Sequence, residues 1–293
     1  MLGEVATMAP DARPRHWLIT GVSGGLGRAL AEQALDRGGI VVGTLRDRRQ
    51  SAAFEELAPG RAFTVELDTT AAPEVLADRV AEAVRLAGHI DVLVNNAGYG
   101  LVGAVEEVGE DELRHQMDTN FFGPLRLIRA LLPHLRARGG GHLVNISSIA
   151  GFRGQAGLGL YNASKFALEG LSEALMAELK PLGITVTVVE PGGFRTNWMG
   201  KGLRRAERRL AEYASVDELA GTMRRFDGLQ PGDPVRGAAA IITAVEAADP
   251  PLRLPLGADA HQAVRGKLAE IARELDAWEH VSVSTSFEAS GAG

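Results

Sequence analysis

Trp17–Gly27 reads WLITGVSGGLG: a short apolar run meets a glycine cluster, and Leu30, Ala31 and Ala34 follow at helical spacing. That is strand, glycine turn and helix in direct succession. Glycines at 21, 25 and 27 let the backbone turn sharply and bring the free N–H groups of the helix up to an anion, which the helix dipole also favours. The spacing is GxxxGxG and not the commoner GxGxxG, and glycine turns also arise for plain steric reasons. Outward from this turn, Gly39–Leu45, Ala62–Leu67, His89–Val94, Gly141–Ile146 and Ile184–Val189 repeat the apolar run, most of them apolar on both faces. Such strands belong in a parallel sheet covered on both sides. Arg28–Arg37, Pro73–Ala87, Asp111–Arg138 and Tyr161–Lys180 read as helices between them. The alternation predicts an α/β fold, a doubly wound parallel sheet in a three-layer α/β/α domain.

Past Pro191 the texture changes. Residues 197–230 are polar and basic in places and read as a helical lid insertion; Lys201, Arg204, Arg205, Arg208 and Arg209 recur at helical spacing and are predicted to form a solvated face. Asp233-Pro234 is a helix start, an N-cap followed by proline, and the helix is predicted to run to about Ala247. Gln262–His280 carries Val264, Leu268, Ile271, Leu275 and Trp278 in steps of four and three, one apolar stripe that docks against the domain or a symmetry mate. The resulting organisation is a flexible tail over 1–14, a single domain over 15–280 and a second tail over 281–293.

Composition bounds the function. The 293 residues hold 31 Lys+Arg against 37 Asp+Glu, a net charge of −6, which argues against general nucleic-acid binding. Hydrophobic residues at 45% and charged residues at 23% suit a folded globular chain. With no cysteine there is no disulfide, thiolate nucleophile, iron–sulfur cluster or Cys-ligated zinc, and no metal site is expected. No run approaches the roughly 18 apolar residues of a membrane span. MLGEVATMAPDARPRH has no basic stretch followed by an apolar one, so no signal peptide is expected and the location is predicted to be cytoplasmic.

Three further places carry chemistry. The second strand ends Thr44-Leu45-Arg46-Asp47. An acid at such a strand end would bond a ribose 2′-hydroxyl, whereas the planar fork of an arginine suits a 2′-phosphate. Arg46 therefore favours NADP(H); the alternative is NAD(H) with Asp47 on the ribose. Tyr161 and Lys165 lie four apart on a predicted helix and share a face. A tyrosine with pKa near 10 is a poor base at neutral pH, and a neighbouring ammonium is expected to pull it down. Ser148 ends the strand Gly141–Ile146 region, at the carboxyl edge where parallel sheets hold ligands, and could orient a substrate oxygen.

From Trp17 to Trp198 these residues resemble one family in register, the short-chain dehydrogenase/reductases in their single-domain Rossmann-fold form. TGVSGGLG resembles the family's TGxxxGxG, Asp68 its adenine-side acid, Asn95-Asn96-Ala97-Gly98 its NNAG, and Pro191-Gly192-Gly193-Phe194-Arg195-Thr196 its PGxxxT. Asn120, Ser148, Tyr161 and Lys165 match its catalytic tetrad. The resemblance implies that Tyr161 exchanges the proton, Lys165 supports it and binds the nicotinamide ribose, Ser148 holds the carbonyl oxygen and Asn120 positions a water behind Lys165. It implies a cofactor site of Gly21, Ser23, Gly25, Leu26, Gly27, Arg46, Asp68, Asn95, Asn96, Ala97, Gly98, Tyr161, Lys165, Pro191, Gly192 and Thr196, with Asn95 mainly structural. Gly24 departs from the basic residue of many NADP-preferring relatives, which leaves Arg46 as the main cationic grip. The branch resembled is that of NADP-linked hydroxysteroid dehydrogenases and bacterial ketoreductases. The expected activity is hydride transfer between nicotinamide and a mid-sized apolar ketone or secondary alcohol, polyketide- or steroid-like; a cofactor-assisted epimerase and a non-catalytic NADP(H) sensor are the alternatives. The expected partners are that small molecule and further copies of the chain, as homodimer or homotetramer through Asp111–Arg138 and Tyr161–Lys180, with no nucleic acid and no membrane.

Overall fold

The computed structural model describes residues 13–287. Most of the tail expected over 1–14, and 288–293 of the one expected over 281–293, lie outside the described residues. In chain order the elements are β1 His16–Thr20, α1 Gly25–Asp36, β2 Ile40–Leu45, α2 Ser51–Glu55, β3 Ala62–Glu66, α3 Pro73–Ala87, β4 Val92–Asn95, β5 Gly100–Val102 and α4 Glu110–Met117. There follow α5 Gly123–Ala137, β6 Gly141–Ile146, α6 Gly159–Leu179, β7 Ile184–Pro191, β8 Leu203–Arg205, α7 Ala214–Arg225, α8 Pro234–Glu246, β9 Arg253–Leu256 and α9 Ala258–Val283.

Seven strands pair in the order β3-β2-β1-β4-β6-β7-β9, all parallel. Alternate residues of a strand point to opposite faces, and here both faces are buried. Trp17 and Ile19 of β1 join one core with Leu30 of α1 and Ile241 of α8. Leu18 between them joins the other, with Leu127, Ile128 and Leu131 of α5. The same split separates Val92 and Val94 from Leu93, and Val144 and Ile146 from Leu143. The doubly wound three-layer sheet read from the sequence is the observed fold. The chain runs outward from β1 to β3 and returns beside β1 as β4, so the strand order reverses between β1 and β4 and opens a crevice at their carboxyl ends.

Three expectations are corrected. Asp111–Arg138 is two helices, because Asp118–Phe122 forms a wider π-type turn between α4 and α5. Pro124 has no N–H to give to the Asn120 carbonyl four residues earlier, so an α-helix cannot run straight through. The lid is only partly helical: Leu203–Arg205 pairs in parallel with β5, Leu101 opposite Arg204, before a short turn and α7. The basic run is largely solvated as read, with Lys201, Arg204, Arg208 and Arg209 exposed, but it is not a helical face. In a strand, neighbours point apart: Arg204 lies over the Tyr99 ring at 4.6 Å, and Arg205 turns inward to Glu107 at 2.9 Å and Asp217 at 3.0 Å. Separately, α9 packs on its own domain at its start, where Ala260 is buried. Asp233 caps α8 as read, its Oδ1 accepting from the Val235 N–H at 2.8 Å. Among the described residues no helix is long and apolar enough to cross a membrane.

The buried Arg205–Glu107 pair fastens the lid. Glu107 is fully buried and accepts hydrogen bonds from the N–H groups of Ala104 and Leu210 as well. Removing one partner of such a pair leaves an uncompensated buried charge, at a cost of about 3–5 kcal/mol. Arg205→Ala is therefore expected to open the lid locally, seen as protease cutting within residues 201–229 accelerated by about 100-fold. Unchanged cutting would show that the pair does not hold the lid.

Candidate active site

The crevice is a cleft of about 590 Å³ running from the glycine turn to the lid. At one end the turn takes the conformation it needs glycine for: φ is +73° at Gly21 and +61° at Gly25. Helix α1 begins at Gly25 with no side chain capping its N-terminus, and Gly21, Ser23, Gly25 and Leu26 line the cleft. Asn96 locks this turn. Its Nδ2 donates to the carbonyls of Thr20 at 2.8 Å and Gly21 at 3.2 Å, while the Thr20 hydroxyl accepts from the N–H groups of Asn96 and Ala97, both at 2.9 Å. Ala97 and Gly98 then line the floor; a Cβ on Gly98 would stand 3.1 Å from Asn120 Oδ1 and 3.7 Å from Lys165 Nζ.

Two residues expected at the cofactor site do not reach the cleft. Gly27 sits beneath the turn, where a Cβ would collide with Asn96 Nδ2 and stand 2.6 Å from the Gly21 carbonyl, so it serves packing. Asn95 is buried in the sheet and donates from Nδ2 to Asn145 Oδ1 at 2.8 Å; Asn145 in turn donates to Ser172 Oγ. Its role is structural, tying β4 to β6.

At the β2 end, Arg46 lines the cleft, is exposed and has no ion-pair partner among the described residues. Asp47 is occupied: its carboxylate accepts the Arg49 N–H at 3.0 Å and the Arg49 guanidinium at 2.8 Å. Asp68 lines the same end. Burial works against its charge, but the N–H and hydroxyl of Thr70, with Arg46 and His115 nearby, hold its carboxyl below the usual range. Pro191, Gly192 and Thr196 form the opposite wall, where Gly193 N–H donates to Asp259 Oδ2 at 2.8 Å and a Cβ on Gly25 would touch Thr196.

The chemical end joins three elements. Ser148 follows β6, and its Oγ accepts from the Ala150 N–H at 3.1 Å. Tyr161 and Lys165 project from one face of α6, as their spacing predicts; Tyr161 hydrogen-bonds Ser148, and Lys165 Nζ donates to the Ile146 carbonyl at 2.9 Å. The ammonium lies 6.0 Å from the Tyr161 ring centroid. Burial pushes the Tyr161 phenol up to about 12, against the hydrogen bond from Ser148. The expected pull of the ammonium downward is not what this site gives. Lys165 is itself pushed down to about 8 by burial, with Glu169 opposing. Asn120 stands behind, fully buried, its amide held by the Tyr99 backbone at 3.0 and 3.2 Å and by Ser164 Oγ at 3.1 Å. Trp198 closes the site, its ring 5.4 Å from that of Tyr161, with Leu158 and Met223 beside it.

Sequence reasoning missed two features. Arg204, stacked on Tyr99, lines the cleft, but a three-residue strand leaves no periodic signal. Behind Lys165, one turn along α6, Glu169 approaches Glu190 of β7, and both carboxylates lie near Arg253 Nε, at 3.8 and 3.7 Å. Burial pushes Glu169 up to about 7, the Ser147 hydroxyl opposing and the Glu190 charge adding. Such distant residues share no motif.

Three comparisons bear on this geometry. The family model for short chain dehydrogenases matches residues 15–207. The chain is 36% identical over 272 residues, 92% of its length and 98% of the relative's, to oxidoreductase BOA17 of Botryotinia fuckeliana, and 38% identical over 259 residues, 83% and 81%, to human retinol dehydrogenase 8. A crystal structure of a short-chain dehydrogenase from Streptomyces avermitilis superposes with a TM-score of 0.87 at 44% identity, covering 94% of this chain and all of that one.

A carboxyl whose native pKa lies above its unfolded value holds its proton more tightly when folded, so its contribution is present at low pH and lost as pH rises from about 4.5 through about 7. Replacing Glu169 by Gln removes that loss. Glu169→Gln is expected to melt higher than the wild type at pH 8, with the difference vanishing near pH 4.5, by scanning calorimetry. An equal shift at every pH would contradict the buried-acid account.

Proposed function

This chain belongs to the short-chain dehydrogenase/reductase family, an oxidoreductase family that uses nicotinamide cofactors, and from that premise we propose that it is an NADP(H)-dependent carbonyl reductase for a mid-sized apolar ketone. One observation carries the reading: Ser148, Tyr161 and Lys165 converge at the carboxyl edge of the sheet, inside a cleft whose other end is an uncapped glycine turn.

The cleft fits a dinucleotide. Gly21 and Gly25 leave room where a side chain would intrude, the first turn of α1 offers N–H groups to a pyrophosphate, and Asp68 and Arg46 stand at the adenosine end. When bound, the nicotinamide supplies the hydride. Ser148 Oγ hydrogen-bonds the substrate carbonyl oxygen and fixes the carbon facing the donor. Tyr161, a neutral phenol at neutral pH, donates its proton to the oxygen as the C–H bond forms, and the carbonyl becomes an alcohol. Lys165, anchored on Ile146, holds positive charge beside the phenol as its proton leaves. Asn120, pinned by Tyr99 and Ser164, keeps the floor of the site in place. Trp198, Leu158 and Met223 give the substrate end an apolar wall, in keeping with the similarity to a retinol dehydrogenase, whose named substrate is an apolar alcohol. NADP(H) over NAD(H) is supported by Arg46, which lines the cleft with no ion-pair partner among the described residues, and by the engagement of Asp47 with Arg49. Phe122 and Phe166, exposed next to α5 and on α6, suit pairing of two copies through those helices.

Titration of nicotinamide fluorescence with NADPH and NADH, followed by a ketone panel, tests the reading. Tyr161→Phe is expected to keep NADPH binding and lose about 100- to 10,000-fold in kcat. A variant that turns over like the wild type would overturn the acid assignment. Arg46→Ala is expected to weaken NADPH about 10- to 100-fold and leave NADH nearly unchanged, since one charge-assisted contact is worth about 1.5–3 kcal/mol. Equal losses for both cofactors would sink the NADP(H) preference. Tight cofactor binding with no turnover of any ketone or alcohol would replace catalysis with sensing.

A further inference from the structure

Helix α9 is 26 residues long, yet every residue from Leu268 to Val283 is exposed. It leaves the domain after about its first ten residues and continues into solvent. The part that leaves the domain, Leu268–Val283, is close to the roughly 12–15 residues below which a helix is marginal in water, and a stripe of large apolar residues makes its exposure costlier. Leu268, Ile271, Leu275 and Trp278 form that stripe, in steps of three, four and three. Alternation of three and four is the 3.5-residue period of a two-stranded coiled-coil seam and not the broader face a helix lays on a globular core.

The charges beside the seam choose the occupant and its direction. Arg265 flanks the seam near the start of the helix; Glu274 and Glu279 flank it toward the end. In a parallel pair, Glu274 of each copy would meet Glu279 of the other, two repulsions with no attraction. In an antiparallel pair centred at residue 273, Leu268 packs on Trp278 of the second copy and Ile271 on Leu275, while Arg265 meets Glu279 at both ends. That gives two attractions against one repulsion, between the two Glu274 side chains. The acidic run Glu270, Glu274, Asp276 and Glu279 disfavours an anionic membrane surface as the alternative cover.

We propose that α9 is a self-association element, pairing antiparallel with α9 of a second copy of this chain through Leu268, Ile271, Leu275 and Trp278. The inference is independent of the reaction and adds an interface apart from the α5 and α6 faces.

The chain has no cysteine, so any disulfide formed joins introduced cysteines only. Ile271→Cys and Leu275→Cys are prepared separately in the full-length protein; both positions are exposed, so folding is undisturbed, as circular dichroism checks. Under mild oxidation the mixture is expected to give a disulfide-linked dimer at several-fold higher yield than either variant alone. Adding Arg265→Glu to both variants is expected to cut that yield several-fold, and adding Glu279→Arg as well to restore it. Equal linking by each variant alone would mean a parallel or random encounter, and no linking in the mixture would mean that α9 does not pair; either overturns the proposal. So would flotation of the unlinked protein with phosphatidylcholine–phosphatidylserine vesicles in place of self-pairing.

Discussion

The Thr20 hydroxyl holds the structure's working end together. It accepts the N–H groups of Asn96 and Ala97, while Asn96 returns two hydrogen bonds to the carbonyls of Thr20 and Gly21. Strands β1 and β4 are neighbours in the sheet but 70 residues and more apart in the chain, and they diverge where their ladder ends. The clamp fixes how far they part. It sets the pitch of the glycine turn, the position of Gly98 on the floor and, through the backbone of Tyr99, the seat of Asn120. Gly27 belongs to the same constraint: only a residue without a side chain lets the Asn96 amide reach the turn.

From that fixed edge the lid is built by local geometry. The chain after Gly98 forms β5, which among the described residues pairs only with β8 of the lid, and a pairing this short holds little by itself. Its anchors are side chains: Arg205 drops to a fully buried Glu107 on one face, and Arg204 stacks on Tyr99 on the other. Trp198 and Leu203 fill the space over Gly100. The lid thus carries both an apolar wall and a cation into the cleft, and its position follows from the same Tyr99 that holds Asn120.

Much of this was legible in the sequence. Strands buried on both faces announce themselves as apolar runs, and the glycine spacing, Tyr161 and Lys165, and Asp233-Pro234 each follow local rules. What was not legible depends on partners far along the chain. Arg205 reads as one more basic residue until Glu107, 98 residues earlier, is placed beside it. The break before α5 was hidden because Pro124 is tolerated in a first helical turn, so its cost shows only where the preceding helix would have had to continue. Gly27 resembles a ligand in the motif but packs beneath the turn against Asn96.

The protonation of the site follows from its depth. A phenol pushed up to about 12 and an ammonium pushed down to about 8 are both driven toward their neutral forms by the same loss of water. A phenol so raised holds its proton more tightly, and the phenolate that would take a proton from an alcohol is disfavoured by the same burial. Two groups oppose this bias at Lys165: the Ile146 carbonyl, which accepts from Nζ at 2.9 Å, and Glu169, which burial pushes up to about 7 as well. Near neutrality, part of that acid is protonated and lends Lys165 no charge. The resting site therefore pairs a neutral phenol with an ammonium whose charge burial opposes.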